Sequence, residues 1–274
     1  MIKKLAERLP GESALLDAQL LLAHVSRRER AWWLSHPEAA LTPEQEAELE
    51  RAVHELQNGT PLAYVLGHWG FFGLDFIVTP DVLIPRPETE LLVETALAFI
   101  REHPREGYAI LDIGTGSGII PVSLALHVPR AALAAVDISP AALEVARRNA
   151  TLNGVAERIE FIQADLLPEV LPAARFDLVC ANLPYIPTKT FRHLEIYGKE
   201  PTLALDGGED GLDHIRSLLE KLASRKVDFD LLLLEIEQGQ GAELREMAQA
   251  SFPLATVRIQ RDLAGFDRLA VIEF

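Results

Sequence analysis

The chain of 274 residues is 49% hydrophobic and 24% charged, which allows one large domain or two and excludes disorder by composition. Its formal net charge of −15 disfavours binding of a nucleic-acid backbone across a broad surface, because such binding requires clustered Lys and Arg. Cys180 is the one cysteine, so an intramolecular disulfide and a cysteine zinc cluster are both excluded. The eight histidines show no metal-ligand spacing, and we expect no metal site.

The sequence contains neither a signal-peptide pattern nor an apolar run of membrane-spanning length. The apolar stretch LLLLEIE, residues 231–237, is short and predicts a buried strand. We therefore expect a cytoplasmic protein with no membrane contact.

Residues 1–67 predict a small helical domain, because apolar residues recur there at helical spacing and no strong strand pattern occurs. The clearest helix begins at Thr42, the predicted N-cap, with Pro43 in the first turn and Gln45 at capping-box distance. Gly59 is expected to end this helix.

Residues 68–85 are aromatic, punctuated by glycine and roughly alternating, which predicts a β-hairpin that serves as a linker. Pro87 and Glu88 then mark a helix start, where a missing N–H costs nothing and a carboxylate suits the helix dipole. We assign residues 86–274 to a second domain.

From about residue 108, strand and helix patterns alternate to the end of the chain. Such alternation predicts an α/β domain with a mostly parallel sheet that is covered by helices on both faces. Only a short loop separates the last two strand patterns, TVRIQ and FDRLAVIEF, so we expect an antiparallel hairpin at one edge of the sheet.

A glycine-rich loop, LDIGTGSG at 111–118, lies where a strand pattern gives way to a helix pattern. Its glycines allow positive φ and let a ligand approach the backbone in front of a helix N-terminus. Asp137 ends the next strand at about the spacing expected of a carboxylate that binds ribose hydroxyls. The simpler interpretation is a glycine-rich turn and a solvated strand-end carboxylate.

The loop does not fit a dinucleotide fingerprint, because Ile119 occupies the place of its third glycine. Asp112 followed by G-x-G-x-G instead resembles the cofactor loop of Rossmann-like S-adenosylmethionine methyltransferases. For Asp165, after the third strand, a plain strand-end carboxylate remains the alternative to a contact with the adenine. The residues predicted to bind S-adenosylmethionine, or its product S-adenosylhomocysteine, are Asp112, Gly114, Thr115, Gly116, Gly118, Asp137, Ile138, Asp165, Leu166 and Asn182.

The fourth strand of this domain ends in Asn182-Leu183-Pro184-Tyr185. Asn and Pro are common in turns, but the tetrapeptide also resembles the (Asn/Asp)-Pro-Pro-Tyr motif of enzymes that methylate planar amino groups. The Asn182 side-chain oxygen and the carbonyl of Leu183 or Pro184 could accept the two N–H bonds of such a group and stabilise charge that develops on nitrogen. Tyr185 could lie against its flat face. We predict Asn182, Pro184 and Tyr185 as catalytic residues.

The flanking segments resemble the release-factor glutamine methyltransferases (PrmC/HemK family). The resemblance covers the linker and PRPETE signature at 59–90, EPTLALDGGEDGL at 200–212, LLLEIEQGQ at 232–240 and DLAGFDRLAVI at 262–272, as well as the helical domain. It implies a Rossmann-like class I methyltransferase domain with a seven-stranded sheet. It also implies methyl transfer to the side-chain amide nitrogen, N5, of glutamine in the Gly-Gly-Gln motif of peptide-chain release factors. Residues 1–67 would then hold the protein substrate.

Leu183 departs from this family, which usually has proline there. Four further residues are predicted to contact the substrate, although each also has a purely structural interpretation: Arg86 and Glu88 as a brace at the helix start, and Glu200 and Pro201 as a surface loop. An adenine-N6 methyltransferase acting on DNA or RNA is the main alternative; it would need a basic groove or a target-recognition region, and the extra domain is small and not visibly basic. The glycine spacing argues against a dehydrogenase.

Overall fold

The computed structural model describes residues 1–274 and divides into two compact units, Met1–His68 and Trp69–Phe274. None of its helices has the length and apolar character required to span a membrane.

The first unit is helical. Its helices are α1 (Ile2–Ala6), α2 (Ala14–Ser26), α3 (Arg30–Ser35), α4 (Pro43–Gln57) and α5 (Leu62–Leu66). The predicted capping box is confirmed, because the Thr42 backbone N–H donates to Gln45 Oε1 (3.0 Å) and the Gln45 N–H donates to Thr42 Oγ1 (3.3 Å). Leu21 and Leu22 are fully buried in this unit, and the buried Trp33 donates through Nε1 to Ser26 Oγ (2.8 Å).

A two-stranded sheet, β1 (His68–Phe71) and β2 (Leu74–Ile77), confirms the predicted β-hairpin. Phe76 is fully buried and belongs to the core of the second unit. Asn149, also fully buried, accepts a hydrogen bond from the Ile77 N–H (2.6 Å) and donates to the carbonyls of Ile77 (2.9 Å) and Ser117 (2.8 Å). A single side-chain amide thus joins the hairpin to the glycine-rich loop.

The remaining strands form one seven-stranded sheet in the order β5-β4-β3-β6-β7-β9-β8. They are β3 (Tyr108–Ile113), β4 (Ala131–Asp137), β5 (Ile159–Gln163), β6 (Arg175–Ala181), β7 (Asp228–Glu235), β8 (Thr256–Arg261) and β9 (Asp267–Glu273). The five strands β3 to β7 pair in parallel, and β9 pairs antiparallel with both β7 and β8. The predicted mostly parallel sheet with an antiparallel hairpin at its edge is confirmed.

Helices alternate with these strands and cover two apolar cores, one on each face of the sheet. They are α6 (Glu90–Glu102), α7 (Ile119–His127), α8 (Pro140–Leu152), α9 (Thr188–Phe191), α10 (Asp213–Ser224) and α11 (Gly241–Ser251). The chain passes from β3 outward through β4 and β5 and then returns to β6 on the other side of β3. At such a reversal, the carboxyl ends of the central strands open a crevice in which ligands bind.

Candidate active site

A cavity of about 360 Å³ lies at the carboxyl ends of the parallel strands, where strand order reverses. The predicted site residues that line it are Arg86, Gly114, Thr115, Gly116, Asp137, Ile138, Asp165, Leu166, Asn182, Leu183, Pro184 and Pro201. A smaller cavity of about 90 Å³ shares Arg86 and Asn182 with the first and is also lined by Tyr185. The structure therefore brings the glycine-rich loop and the tetrapeptide together around two cavities that share lining residues.

The glycine-rich loop owes its shape to left-handed backbone that favours glycine: φ is +73° at Gly114, +54° at Gly116 and +80° at Gly118. A Cβ on Gly118 would lie 3.1 Å from the Cβ of Ala146 on α8, so this glycine allows close helix packing and does not line the cavity. A Cβ on Gly114 would lie 2.9 Å from Leu183 Cδ2. The loop and the tetrapeptide are thus in direct contact.

Asp137, at the end of β4, is hydrogen-bonded to the backbone of the glycine-rich loop. Its Oδ2 accepts from the Gly116 N–H (2.8 Å), and its Oδ1 accepts from the Ser139 N–H (2.9 Å). Burial raises the pKa of this carboxyl, and these backbone hydrogen bonds oppose the rise. Each oxygen keeps a lone pair for a hydroxyl donor in the cavity, which it lines together with the exposed side chain of Ile138.

Asp112 lies fully buried within β3, beneath the loop, and does not line the cavity. Neither of its carboxyl oxygens has a hydrogen-bond partner, and the buried Thr115 Oγ1 also lacks one. Burial raises the pKa of Asp112 to about 7; the nearby Thr115 hydroxyl opposes the rise, although it makes no bond of regular geometry, and the Asp137 charge adds to it. Buried polar groups are rarely left unpaired, so Asp112 is a position at which a bound molecule would find an acceptor.

Asp165 lines the cavity but its exposed carboxylate pairs with Lys221 Nζ (3.0 Å). Leu166 follows in the left-handed region with φ +64°, and the Leu167 N–H donates to the Asp165 carbonyl (2.8 Å). This three-residue γ-turn is a strained conformation for leucine, and such strain is typical of binding and catalytic sites.

The tetrapeptide leaves β6 with two side chains fixed by hydrogen bonds. Asn182 donates through Nδ2 to Thr89 Oγ1 (3.1 Å), and Asn182 Oδ1 accepts no hydrogen bond from the protein. The Tyr185 hydroxyl donates to Glu235 Oε1 (3.1 Å). Burial, followed by the Glu235 charge and hydrogen bond, raises the pKa of Tyr185 far above its ordinary value, so its hydroxyl stays protonated. Leu183 is buried beside Gly114.

The segment DGGEDG, residues 206–211, encloses the backbone of the tetrapeptide. A Cβ on Gly207 would lie 2.7 Å from Tyr185 Cα and 2.8 Å from the Pro184 oxygen. The Tyr185 carbonyl accepts from Gln240 Nε2 (3.0 Å). This close approach explains the glycine at position 207.

Glu235 and Thr89 are two buried site residues that the sequence analysis missed. Glu235 ends β7, and burial raises the pKa of its carboxyl to about 7 against the opposing hydrogen bonds of Thr89 and Tyr185. The sequence shows an acid at the end of an apolar strand and a threonine inside PRPETE, but it does not show which residue either of them contacts.

The partly exposed Arg86 and the buried Glu200 form an ion pair, with Arg86 Nη2 2.5 Å from Glu200 Oε1. The Ile84 N–H also donates to Glu200 Oε2 (3.2 Å), so the Glu200 carboxylate is engaged within the protein. Pro201, next in the chain, lines the larger cavity, whereas Glu88 is exposed and lines neither cavity. Arg86 remains in contact with both cavities.

The fold and this arrangement define a class I methyltransferase. Similar solved structures include the catalytic domain of human METTL16 in complex with MAT2A 3'UTR hairpin 6 (TM-score 0.60, 13% identity, 84% of this chain and 81% of that chain). A methyltransferase from Pyrococcus furiosus is also similar (TM-score 0.52, 17% identity, 85% and 98%). At these identities the likeness shows the fold alone. No group of three or more His, Cys, Asp or Glu side chains is placed to hold a metal ion.

Sequence relatives give the finer assignment. Residues 1–67 match the family model described as the PrmC N-terminal domain, and residues 110–196 match a methyltransferase domain. A protein of Moorella thermoacetica named release factor glutamine methyltransferase is 43% identical over 94% of this chain and 90% of its own length. One of the same name from Bacillus anthracis is 38% identical over 93% and 91%. The chain belongs to the release factor glutamine methyltransferase family. The predicted fold class, family and enzyme class are thereby confirmed.

Proposed function

We propose that this protein transfers a methyl group from S-adenosylmethionine to N5 of the glutamine in the Gly-Gly-Gln motif of peptide-chain release factors. The observation that carries the proposal is the state of Asn182. Its Nδ2 is bound to Thr89, while its Oδ1 accepts no bond from the protein and belongs to a residue that lines both cavities. The names of the sequence relatives support release factors as the substrate class.

The larger cavity fits S-adenosylmethionine. Gly114 and Gly116 leave the loop backbone open to a ligand, Asp137 offers lone pairs to ribose hydroxyls, and the unpartnered Asp112 offers an acceptor for an ammonium group. Thr115, Ile138 and the strained turn at 165–166 complete the cofactor side of the site. When bound, the cofactor would supply an electrophilic methyl group on a sulfonium; after transfer S-adenosylhomocysteine remains and the methylated nitrogen releases one proton to solvent.

The tetrapeptide supplies acceptors and positioning rather than a strong base. The glutamine amide nitrogen is a weak nucleophile, because its lone pair is delocalised into the carbonyl. Asn182 Oδ1 and the backbone carbonyl of Leu183 or Pro184 accept its two N–H bonds and so stabilise positive charge that develops on nitrogen. Tyr185, tethered through its hydroxyl to Glu235, presents its ring to the smaller cavity, where it contacts the flat amide.

We further propose that the helical unit, predicted as a domain of residues 1–67, docks the release factor, and that the protein acts in the cytoplasm, where translation occurs. A chain that lacks residues 1–67 is expected to bind S-adenosylmethionine normally, because every predicted cofactor residue lies beyond Trp69. Methylation of an intact release factor should fall sharply. Normal methylation by this shortened chain would contradict the docking role.

An adenine-N6 activity is not favoured. The likeness to METTL16 is a fold likeness at 13% identity, whereas relatives over almost the whole chain carry the release-factor name. The acidic charge of −15 also favours a protein substrate.

The test compares substrates in one assay. The protein is incubated with S-adenosylmethionine labelled on the methyl group and either an intact release factor, the same factor with the motif glutamine replaced by alanine, or bulk RNA and DNA. We expect label only in the intact factor, at the motif glutamine. Label in nucleic acid, or equal label in the alanine form, would contradict the proposal.

A further inference from the structure

The β8–β9 turn, residues 262–266, presents two apolar side chains to solvent. Leu263 is 109% exposed, so its side chain packs against nothing in the protein, and Phe266 is 43% exposed. Turns are usually built from polar residues and glycine. The fold therefore does not require an apolar residue at position 263, and the two side chains point to a role outside the folded chain.

The β8–β9 turn lies at the same edge of the sheet as the candidate active site. Strand β9 runs antiparallel to β7, and Leu269 pairs with Glu235 at the carboxyl end of β7. Glu235 Oε1 accepts the Tyr185 hydroxyl, so this strand end adjoins the tetrapeptide. Phe266 precedes Leu269 by three residues, which places it within about 10 Å of the strand end at a rise of about 3.3 Å per residue.

Hydrogen bonds within the chain hold the β8–β9 turn in one conformation. The Asp262 N–H donates to the Phe266 carbonyl (2.9 Å), and the Gly265 N–H donates to the Asp262 carbonyl (3.0 Å). Asp262 Oδ1 also accepts from the N–H groups of Ala264 (2.9 Å) and Phe266 (3.0 Å). Leu263 and Phe266 are thus presented on a preorganised backbone, and a partner that binds them has little chain to order.

The charged residues beside the β8–β9 turn are paired with one another. Arg261 Nε lies 3.1 Å from Asp267 Oδ1, and Arg268 Nε lies 3.4 Å from Asp262 Oδ2. Although the chain has a net charge of −15, the charges around this turn compensate each other. An apolar surface with balanced charges suits an apolar patch on another protein and not a nucleic-acid backbone.

We propose that the β8–β9 turn is a docking contact for the body of the release factor, in which an apolar patch beside the Gly-Gly-Gln loop covers Leu263 and Phe266. This inference rests on the proposed function, in which the substrate is a whole protein. A standard protein interface buries about 800 Å² on each partner, and a disc of that area extends about 16 Å from its centre. An interface centred where Tyr185 meets the end of β7 therefore reaches the β8–β9 turn.

Two exposed leucines at opposite ends of β8 provide a matched pair of positions. Leu254, which is 93% exposed, comes shortly before Thr256 at the start of β8. Thr256 pairs with Glu273, and Glu273 also pairs with Leu231 in the first half of β7. Leu254 therefore lies at the edge of the sheet opposite to the site, whereas Leu263 lies at the edge of the site itself.

The first measurement is the binding of an intact release factor in the presence of S-adenosylhomocysteine, followed by calorimetry. Leu263→Ser should weaken this binding by about tenfold or more, the scale of one leucine buried at an interface. Leu263→Met keeps an apolar side chain and should retain most of the affinity. Leu254→Ser makes the same change at the opposite edge and should bind as the wild type does. The melting curve of Leu263→Ser should be unchanged, because this side chain packs against nothing.

The second measurement is single-turnover methylation at increasing concentrations of the release factor. Leu263→Ser should require about tenfold more release factor for half of the maximal rate, but should reach the rate of the wild type at saturation. The reason is that Leu263 lines neither cavity and so does not touch the cofactor or the glutamine. Affinity for S-adenosylmethionine should also stay unchanged.

The third measurement identifies what covers the β8–β9 turn. The photoreactive residue p-benzoylphenylalanine is placed at position 263 or at position 254, and the protein is irradiated with an intact release factor. We expect a crosslink to the release factor from position 263 only. A crosslink between two copies of this chain, in place of the release factor, would assign the turn to self-association and overturn the inference.

These measurements separate the docking contact from the proposed function. A wild type that binds the release factor through Leu263 but transfers no methyl group to it would contradict the proposed function and leave the docking contact standing. A wild type that methylates the release factor, while Leu263→Ser binds it equally well, would overturn the docking contact alone. An equal loss of binding in Leu254→Ser would overturn it too, because the effect would not depend on the edge of the sheet.

Discussion

Asp112 and Glu235 are two carboxyls in similar environments that differ in their hydrogen bonds to the rest of the protein. Each lies at or next to the carboxyl end of a central parallel strand, each is closed to solvent, and burial raises the pKa of each to about 7. Neither oxygen of Asp112 has a hydrogen-bond partner of regular geometry, whereas Glu235 accepts the Tyr185 hydroxyl on Oε1 and leaves only Oε2 without a partner. The comparison teaches that burial alone does not define a role. We propose that the cofactor half of the site keeps its buried acid for a bound molecule, whereas the tetrapeptide half uses its acid to hold the Tyr185 hydroxyl.

The largest expected effect falls on the tetrapeptide half. Asn182→Ala removes the acceptor for the glutamine amide and leaves Asp112, the glycine-rich loop and Asp137 untouched. Methyl transfer in a single turnover should fall by about 100-fold or more, the scale of a deleted preorganised transition-state partner. Cofactor affinity, measured by calorimetry, should change little, because the other predicted cofactor residues remain. Near-normal turnover would mean that the tetrapeptide is only a turn.

The cofactor half should show the reverse pattern. Asp137→Ala removes the acceptor that we assign to the ribose, and cofactor affinity should weaken by roughly 1.5–3 kcal/mol, the range for hydrogen bonds to charged groups. Calorimetric titration measures this loss, and a melting curve confirms that the variant is folded. Unchanged affinity for S-adenosylmethionine would show that Asp137 does not bind the cofactor, and would contradict the division of the site into a cofactor half and a tetrapeptide half.

The two buried acids should also respond to pH in the same direction. A carboxyl whose pKa is raised on folding destabilises the folded state only when it is charged. This loss of unfolding free energy is therefore absent at a pH below the pKa of the unfolded chain, and it grows as pH rises toward 7. Relative to the wild type, Glu235→Gln should therefore gain on the order of 3 kcal/mol of unfolding free energy between about pH 4.5 and about pH 7.5.

Asp112→Asn should show a similar gain over the same pH range in the absence of cofactor, measured by urea unfolding. Saturating S-adenosylmethionine should reduce the pH-dependent difference in unfolding free energy between the wild type and Asp112→Asn, because an ammonium group near Asp112 favours the charged form of this carboxyl in the wild type. The corresponding difference for Glu235→Gln should not change. An equal effect of cofactor on both variants would show that the two acids do not differ in engagement.

The smallest effect is expected at the departure from the family pattern. Leu183→Pro locks φ but removes the side chain that packs beside Gly114, while the backbone carbonyl stays available. The rate of methyl transfer should stay similar to that of the wild type or rise slightly. A loss of about tenfold or more would show that the Leu183 side chain positions the glycine-rich loop, and so couples the two halves of the site.

The sequence was sufficient to predict those parts of the candidate site that come directly after a strand pattern. The glycine-rich loop, Asp137 and the tetrapeptide are each defined by local residues and by the α/β alternation. Thr89 and Glu235 were missed because their partners lie 93 and 50 residues away along the chain, and only the pairing of β6 with β7 brings the latter into place. The Lys221 partner of Asp165 was hidden for the same reason.

Structural ties of this kind also give Glu200 partners that the sequence did not predict, while its contact with the substrate stays a prediction. Glu200 was predicted to contact the substrate, and the structure shows its carboxylate held by Arg86 and by the Ile84 N–H. A sequence shows that a residue type is present, but the burial that commits a charged group to one partner is a property of the folded chain.

The Asn149 amide couples the opening of the hairpin to that of the glycine-rich loop. It satisfies both backbone groups of Ile77 and one carbonyl of the loop at Ser117, so neither segment can separate from α8 without breaking bonds that serve the other. Segments joined in this way open to solvent as one cooperative unit. Amide protons at the hairpin and at the loop should therefore exchange at a shared rate, although they are distant in sequence, and a ligand that tightens the loop should slow exchange in the hairpin as well.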